Sequence, residues 1–295
     1  MGLLVLAIGI AYANAYTGAW VFDDKFTIVD NDHIGKLWPL EHWILGREGA
    51  PSSGRPMTGL LFTLNYLAAG GPSPFGFHAV SVVIHMLAAV VLMILLHRTL
   101  QYTTVFKERA LPLAFAISIL WGVHPLLTSS VTYVSQRAET QMSLFLLLGL
   151  YAAIRSREAA TLGASSPSKR WMGVALIATL CSALSKEVGV LVPLLVALWD
   201  RGFVYSSWED LKNAKRLRTY GLLCIPLIPV LLLQFAVPRG NTVQFGNYQG
   251  ITPLTYLMTQ ANAISHYLQL TLARRAHLGL RLAHRRRHSW QPRNR

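Results

Sequence analysis

Apolar residues in this chain run in long blocks rather than alternating with polar ones, and about 20 of them in a helix suffice to cross the hydrocarbon core of a bilayer. Residues 76–97 and 219–237 are two such blocks, and 110–128, 139–154, 171–185 and 188–199 are shorter ones that their flanks can lengthen. Residues 1–16 add a marginal block with no positive start and no small-residue cleavage signature, which predicts a retained spanning segment rather than a signal peptide. Segment 251–272 is apolar with scattered polar groups, as expected of a pore-side or interfacial helix. The pattern predicts an all-α fold: a polytopic membrane helical bundle of about 7–8 spans with a long first extracytoplasmic loop.

Lysine and arginine set the expected orientation, because cytoplasmic loops carry an excess of both. Loop 98–109 holds Arg98, Lys107 and Arg109; loop 155–170 holds Arg155, Arg157, Lys169 and Arg170; loop 200–218 holds Arg201, Lys212, Lys215, Arg216 and Arg218. These are predicted to be cytoplasmic. The loops at 124–138, at Ser185-Lys186-Glu187 and after Pro238 then fall on the other side, together with segment 17–75. That segment carries Asp23, Asp24, Asp30, Asp32, Glu41 and Glu48 against Lys25, Lys36, Arg47 and Arg55, and it is too long for a plain connection. Its amphipathic pieces, around Leu37–Leu45 and Met57–Ala69, are expected to lie along the interface, with Trp38 and Trp43 as aromatic anchors.

Composition changes this picture only at one end. The chain is 53% hydrophobic and 14% charged, against about 25% charge in an ordinary soluble domain. Its formal net charge of +14 could suggest a nucleic-acid binder, but much of the excess sits in one place. Arg274, Arg275, Arg281, Arg285, Arg286, Arg287, Arg293 and Arg295 crowd a terminal stretch without a single acid. This tail, 273–295, reads either as a basic cytoplasmic or lipid-contacting arm or as an out-of-frame stretch of a truncated gene. No aromatic or helix-turn-helix context accompanies its arginines, so no nucleic-acid partner is expected. Cys181 and Cys224 lie in apolar runs without metal-ligand spacing and read as small buried hydrophobes.

Ionisable residues near membrane depth are expensive and carry a functional hypothesis by default. Asp23-Asp24 follows Trp20-Val21-Phe22 at the start of the long external loop, where two adjacent carboxylates repel. One is then a candidate proton acceptor and the other a candidate holder of a cation or a substrate hydroxyl; a solvated helix end is the plain alternative. His78 and His85, seven apart, share one helical face, where a hydrogen-bonded core role competes with a binding one. His124 ends one apolar block, Arg137 and Glu139 begin the next, and Lys186-Glu187 sits at the tip of an apolar hairpin. Neighbours in sequence cannot share a helical face, so Lys186 and Glu187 are expected at a break, each with its own partner. Convergence of the external loops would bring Arg55, Arg137 and Lys186 near the acidic pair, and cations suit a phosphate leaving group. A carboxylate base beside cations fits transfer of a group from a phosphorylated lipid to an acceptor. There is no G-x-x-x-x-G-K-[ST], no G-x-G-x-x-G after a strand, no H-E-x-x-H and no G-x-S-x-G, which argues against a cytosolic NTPase or hydrolase.

The run Trp20-Val21-Phe22-Asp23-Asp24-Lys25-Phe26 with Ile28 and Asn31, then Gly54-Arg55-Pro56, Leu64-Asn65-Tyr66, Pro74-Phe75-Gly76-Phe77-His78 and His85, resembles the multispanning glycosyltransferases of the GT-C superfamily. Trp121-Gly122-Val123-His124-Pro125, Ser135-Gln136-Arg137-Ala138-Glu139 and Ser185-Lys186-Glu187-Val188-Gly189, with Pro193-Leu194 and Asp200, continue the likeness in order. The branch resembled is that of the transmembrane and tetratricopeptide-repeat-containing O-mannosyltransferase-like proteins, over residues 15–272. The resemblance implies an inverting transfer of a mannose-like sugar from a polyprenyl- or dolichyl-phosphate donor to a hydroxyl of a protein or glycan acceptor, with Asp23 or Asp24 as base. Arg55, His78, His124, Arg137, Glu139, Lys186 and Glu187 are placed at the donor phosphate or substrate. No metal ligand is assigned; a divalent cation is left open, and the lipid-phosphate sugar is a substrate rather than a cofactor. The implied location is an integral, multi-pass one in membrane lipid, in a bacterial inner membrane or the endoplasmic reticulum, with the acidic loop on the lumenal or extracytoplasmic side. Such proteins usually run on into tetratricopeptide repeats, so 1–272 reads as an incomplete transferase domain. A lipid-linked sugar transporter or flippase, which would place the acidic pair midway through a span, and an inactive truncated fragment are the alternatives.

Overall fold

Helices form wherever the apolar blocks lie, and their ends fall where proline, glycine or a charge interrupts them. The computed structural model describes residues 1–47, 50, 52–213, 216–236 and 252–272, so the arginine-rich tail and the loop after Pro238 lie outside the described residues. In chain order the helices are α1 (Gly2–Ala11), α2 (Glu41–Ile44), α3 (Pro56–Ala69), α4 (Pro74–Leu100), α5 (Ala110–Gly122), α6 (Thr128–Thr132), α7 (Arg137–Thr161), α8 (Ser165–Ser185), α9 (Val192–Phe203), α10 (Trp208–Asn213), α11 (Leu217–Cys224), α12 (Leu227–Ala236) and α13 (Pro253–Leu272). No strand occurs among the described residues. The chain divides into two units, Met1–Gly240 and Asn241–Arg295, and α13 is the described element of the second.

The longest element, α4, starts as its sequence prescribes. Ser73 caps it, its hydroxyl accepting from the Gly76 N–H at 3.3 Å, and Pro74 occupies the first turn, where its missing N–H costs nothing. Because α4 is apolar nearly all round, it can be covered on several faces at once. Leu4 and Ile8 of α1, Val82, Ala89 and Met93 of α4, and Ala114 of α5 form one buried cluster. On the other side α7 and α8 fold into a hairpin at Gly163, and Ala152, Ala153 and Ala175 let them approach closely against Val192 and Val196 of α9 and Leu223 of α11. A third cluster, of Ile28, Ile34, Phe62, Phe77 and Val134, ties segment 17–75 to α3 and α4.

The expected bundle of 7–8 spans is not visible in helix length and composition. Among the described residues only α4 is long and apolar enough to cross a bilayer by itself. A second candidate is the pair Lys107–Gly122 and Pro125–Thr132, bent by 50°. That bend has a local cause: a residue before proline avoids the α region, and His124 is extended, with φ −67° and ψ 130°. Pro226 likewise separates α11 from α12. Helix α7 carries Arg155, Arg157 and Glu158 near its end, and α8 opens on a polar stretch from Ser165 to Arg170, so neither is apolar throughout. At 1.5 Å per residue, α1, α5, α9, α11 and α12 are each shorter than a bilayer's core. Of the amphipathic pieces, 57–69 is helical within α3, whereas 37–45 yields only the single turn α2; Trp38 is exposed beside it and the Trp43 indole donates to the Leu37 carbonyl at 3.1 Å.

Candidate active site around the acidic pair

After α1 and a 3-10 turn over Ala13–Thr17 the chain reverses at Phe22, whose φ of 44° is left-handed. A bulky residue there is an outlier that surrounding contacts must hold in place. Its ring stands edge-on to Tyr133, centroids 6.1 Å apart. The reversal delivers Asp23 and Asp24 to a short helical turn that continues as a single π turn over Lys25–Val29.

The two carboxylates, identical in sequence terms, receive opposite environments. Asp24 is fully buried. Its Oδ1 accepts from both the backbone N–H and the hydroxyl of Ser135, each at 2.7 Å, and its Oδ2 accepts from the Val21 N–H at 3.3 Å. Asp23 is exposed, and its Oδ2 accepts the Tyr133 hydroxyl at 2.6 Å. The same phenol oxygen accepts from the Asp23 backbone N–H at 3.1 Å. Asp23 Oδ1 has no hydrogen bond among the described residues. Asp24 is therefore built into the fold and Asp23 is the carboxylate open to a reactant. Ser135→Ala, which keeps the N–H bond to Asp24 and deletes the hydroxyl one, is expected to cost about 1–3 kcal/mol, read as a lowered Tm of the purified chain.

A cavity of about 520 Å³ lies beside the residues that hold the pair, with Val21 and Tyr133 in its wall together with the end of α1, the turn after it and residues of 123–132; neither Asp23 nor Asp24 is among its lining residues. Ala15, Gly18 and Val21 line one side, and Thr128, Thr132 and Tyr133 supply hydroxyls on the other. His78 reaches it from α4, buried, with its ring stacked on Trp20. Gly18 is required there, since an added Cβ would stand 2.7 Å from His78 Nε2. Among the described residues no Lys or Arg lines this cavity.

Arg137, placed at the donor phosphate by the sequence reading, is elsewhere engaged. It is the largest fully buried side chain, and its guanidinium donates to Ser81 Oγ at 2.9 Å, Asn65 Oδ1 at 3.0 Å and the Phe77 carbonyl at 2.6 Å. The Phe62 and Phe77 rings cover it at 5.0 and 5.3 Å, and its charge acts on His78 alongside that of Asp24. A guanidinium so enclosed braces α3, α4 and α7 beneath the acidic pair and offers no donor to an incoming phosphate. His85, one turn-pair below His78, bonds the Gly122 carbonyl at 2.8 Å, a core role. His124 caps its own turn, its Nδ1 accepting from Leu126 N–H at 3.3 Å.

The remaining predicted residues form a second cluster. At the break between α8 and α9, Lys186 pairs with Glu139 and Glu187 pairs with Arg55, the latter with Nη2 3.1 Å from Oε2. Each member of the Lys186-Glu187 dipeptide thus takes a different partner, as a helix break requires. Thr58 donates to the Ser185 carbonyl at 3.1 Å and Gln141 to the Met57 carbonyl at 3.0 Å, so α3 is stitched to both α7 and α8 at this level. Among the described residues no three His, Cys, Asp or Glu side chains gather as a metal site would need. The residue that sequence reasoning missed is Tyr133; its only signal was its place two positions before Ser135 in the loop between two apolar blocks.

No family model matches the chain, and no solved structure matches it. Curated proteins do. The protein O-mannosyl-transferase TMTC4 of Homo sapiens is 34% identical over 207 residues, which is 65% of this chain and 28% of that protein. TMTC1 of Mus musculus is 33% identical over 223 residues, 72% of this chain and 23% of the relative. Tmtc2 of Drosophila melanogaster is 29% identical over 251 residues, 81% and 25% respectively. The chain thus spans about a quarter of the length of the curated relatives it matches. Relatives of one description, matched at this identity over most of its residues, place the chain in the TMTC branch of protein O-mannosyl-transferase-like proteins.

Proposed function

We propose that this chain belongs to the catalytic, membrane-embedded part of a mannosyltransferase that uses a polyprenyl- or dolichyl-phosphate sugar. In this reading Asp23 Oδ1 takes the proton of an acceptor hydroxyl as that oxygen bonds to the sugar's anomeric carbon. The bond from the carbon to the phosphate oxygen breaks with inversion, its electron pair leaves with the lipid phosphate, and Asp23 then returns its proton to water. The observation that carries the reading is the split between the two carboxylates, one anchored by Ser135 and one exposed and held by Tyr133, whose side chain also lines the neighbouring cavity. Their place in a loop, outside the candidate spans, supports a transferase over a transporter. The mixed lining, largely apolar with hydroxyls from Thr128, Thr132 and Tyr133 and without Lys or Arg among the described residues, suits an uncharged hydroxyl-bearing group, while Arg55 and Lys186 at the α8–α9 break are the cations we assign to the phosphate side. Multiple spans, with the acidic loop extracytoplasmic or lumenal, complete the proposal.

The test is transfer of labelled mannose from dolichyl-phosphate mannose to protein in membranes carrying the full chain. Loss of a general base costs about 10²–10⁴ in rate, so Asp23→Asn is expected to lose transfer by that factor while keeping its Tm. Undiminished transfer by Asp23→Asn removes the base; movement of the lipid-linked sugar across the bilayer without transfer replaces the enzyme by a transporter.

A further inference from the structure

Residues 133–135 hold both aspartates from one strap: Ser135 on Asp24, Tyr133 on Asp23. The strap is short and its geometry is fixed at both ends. Tyr133 is extended, with φ −93° and ψ 106°, between α6 and a 3-10 turn over Val134–Gln136, and Val134 is fully buried in the cluster with Ile28 and Phe77. Two buried anchors, Val134 and Ser135, therefore leave the Tyr133 ring little freedom at the rim of the cavity. Phe22 closes the other side of the ring.

We infer that Tyr133 is the positioning residue of this site: its hydroxyl pins Oδ2 of Asp23 so that Oδ1 alone faces the acceptor. The inference rests on Asp23 being the base. A phenol can do this because it is a donor and an acceptor at once. Here it gives its proton to the Asp23 carboxylate and takes the N–H of the same residue, so side chain and backbone of Asp23 are fixed by a single atom. A two-point hold of this kind reduces the orientations a carboxylate explores, which matters because small misplacements of a reacting group are costly. The donor does not switch off at neutral pH: burial, and then donation to Asp23, pushes the Tyr133 phenol up to about 12.

The experiment compares Tyr133→Phe with the unaltered chain in the mannose-transfer assay, with Asp23→Asn alongside. Phenylalanine keeps the ring, its contact with Phe22 and the cavity wall, and deletes only the hydroxyl. The expected result is a fall in kcat of about tenfold with the donor and acceptor KM each within about twofold and the Tm unchanged. An unchanged kcat, or a loss carried by KM instead of kcat, overturns the inference, provided Asp23→Asn is inactive. If Asp23→Asn is itself active, the base assignment has failed first, and the inference falls with it. A Tyr133→Phe chain that loses Tm while kcat per folded chain stays the same shows a structural role only and also overturns it.

Discussion

Arg137→Met is expected to lower the stability of the folded chain by about 3–5 kcal/mol, the usual cost of deleting one partner from a buried charged network. Methionine fits much of the volume but supplies no donor. The Phe77 carbonyl, Asn65 Oδ1 and Ser81 Oγ each lose the bond Arg137 makes to them, in a place water does not reach. Asp24 loses the cation whose field shares its surroundings. A typical domain has only about 5–15 kcal/mol in total, so the variant should unfold many degrees earlier in detergent and be cut faster by protease. Arg137→Lys should not rescue it, because a single ammonium cannot span three acceptors set by a planar fork. A cycle with Asp24→Asn separates the parts. If the carboxylate is tolerated in its buried site partly through Arg137, removing its charge should soften the Arg137→Met loss by about 1–3 kcal/mol; strictly additive losses would mean that the two act independently.

The same geometry explains why Asp24 and the arginine below it are held inside the fold while Asp23 is exposed. A charge at membrane depth invites a functional reading, yet depth alone does not separate a residue that binds substrate from one that holds helices together. Arg137 faces inward because residues 133–137 turn from an extended strap into α7, and the first turn of that helix meets Asn65 and Ser81. Asp24 faces inward because the left-handed Phe22 turns the chain over. Neither orientation leaves a trace in hydropathy. The partners of Lys186 and Glu187 were legible as a kind, two separate acid–base pairs at a helix break, because a dipeptide's directions follow from helix geometry. Which residues they would be was not, since Arg55 and Glu139 come from distant segments.

Helical content was legible for a similar reason: long apolar blocks have few alternatives. The number of spans was not, because the lengths that decide it depend on where Pro125 and Pro226 break the chain and on how far charge intrudes into α7 and α8. Asp23 and Asp24 stood out as a pair, but the choice between them required Tyr133 and Ser135, over a hundred positions away and unremarkable as residue types.

Gly189→Ala is expected to be nearly as damaging as the loss of Arg137, although it adds one methyl group. A Cβ at Gly189 would lie 2.3 Å from the Ser182 carbonyl carbon and oxygen and 2.6 Å from the Ala183 nitrogen. Those are backbone atoms inside α8 and cannot swing aside, so the turn over Glu187–Leu191 would have to move bodily. Overpacking of this kind costs about 1–3 kcal/mol, occasionally more, and here the displacement is passed on. Glu187 heads the displaced turn and Lys186 precedes it, so the bonds to Arg55 and Glu139 open as the turn shifts. The loss of Tm should therefore be larger than the summed effects of Arg55→Gln and Glu139→Gln, whose half-exposed pairs contribute only about 0–1 kcal/mol each. Since α3 is tied to this level through Thr58 and the Ser185 carbonyl, limited proteolysis of Gly189→Ala should open first at Arg55–Thr58, the start of α3. A variant as stable and as protease-resistant as the unaltered chain would show that the turn over Glu187–Leu191 does not pack against α8 in the way described.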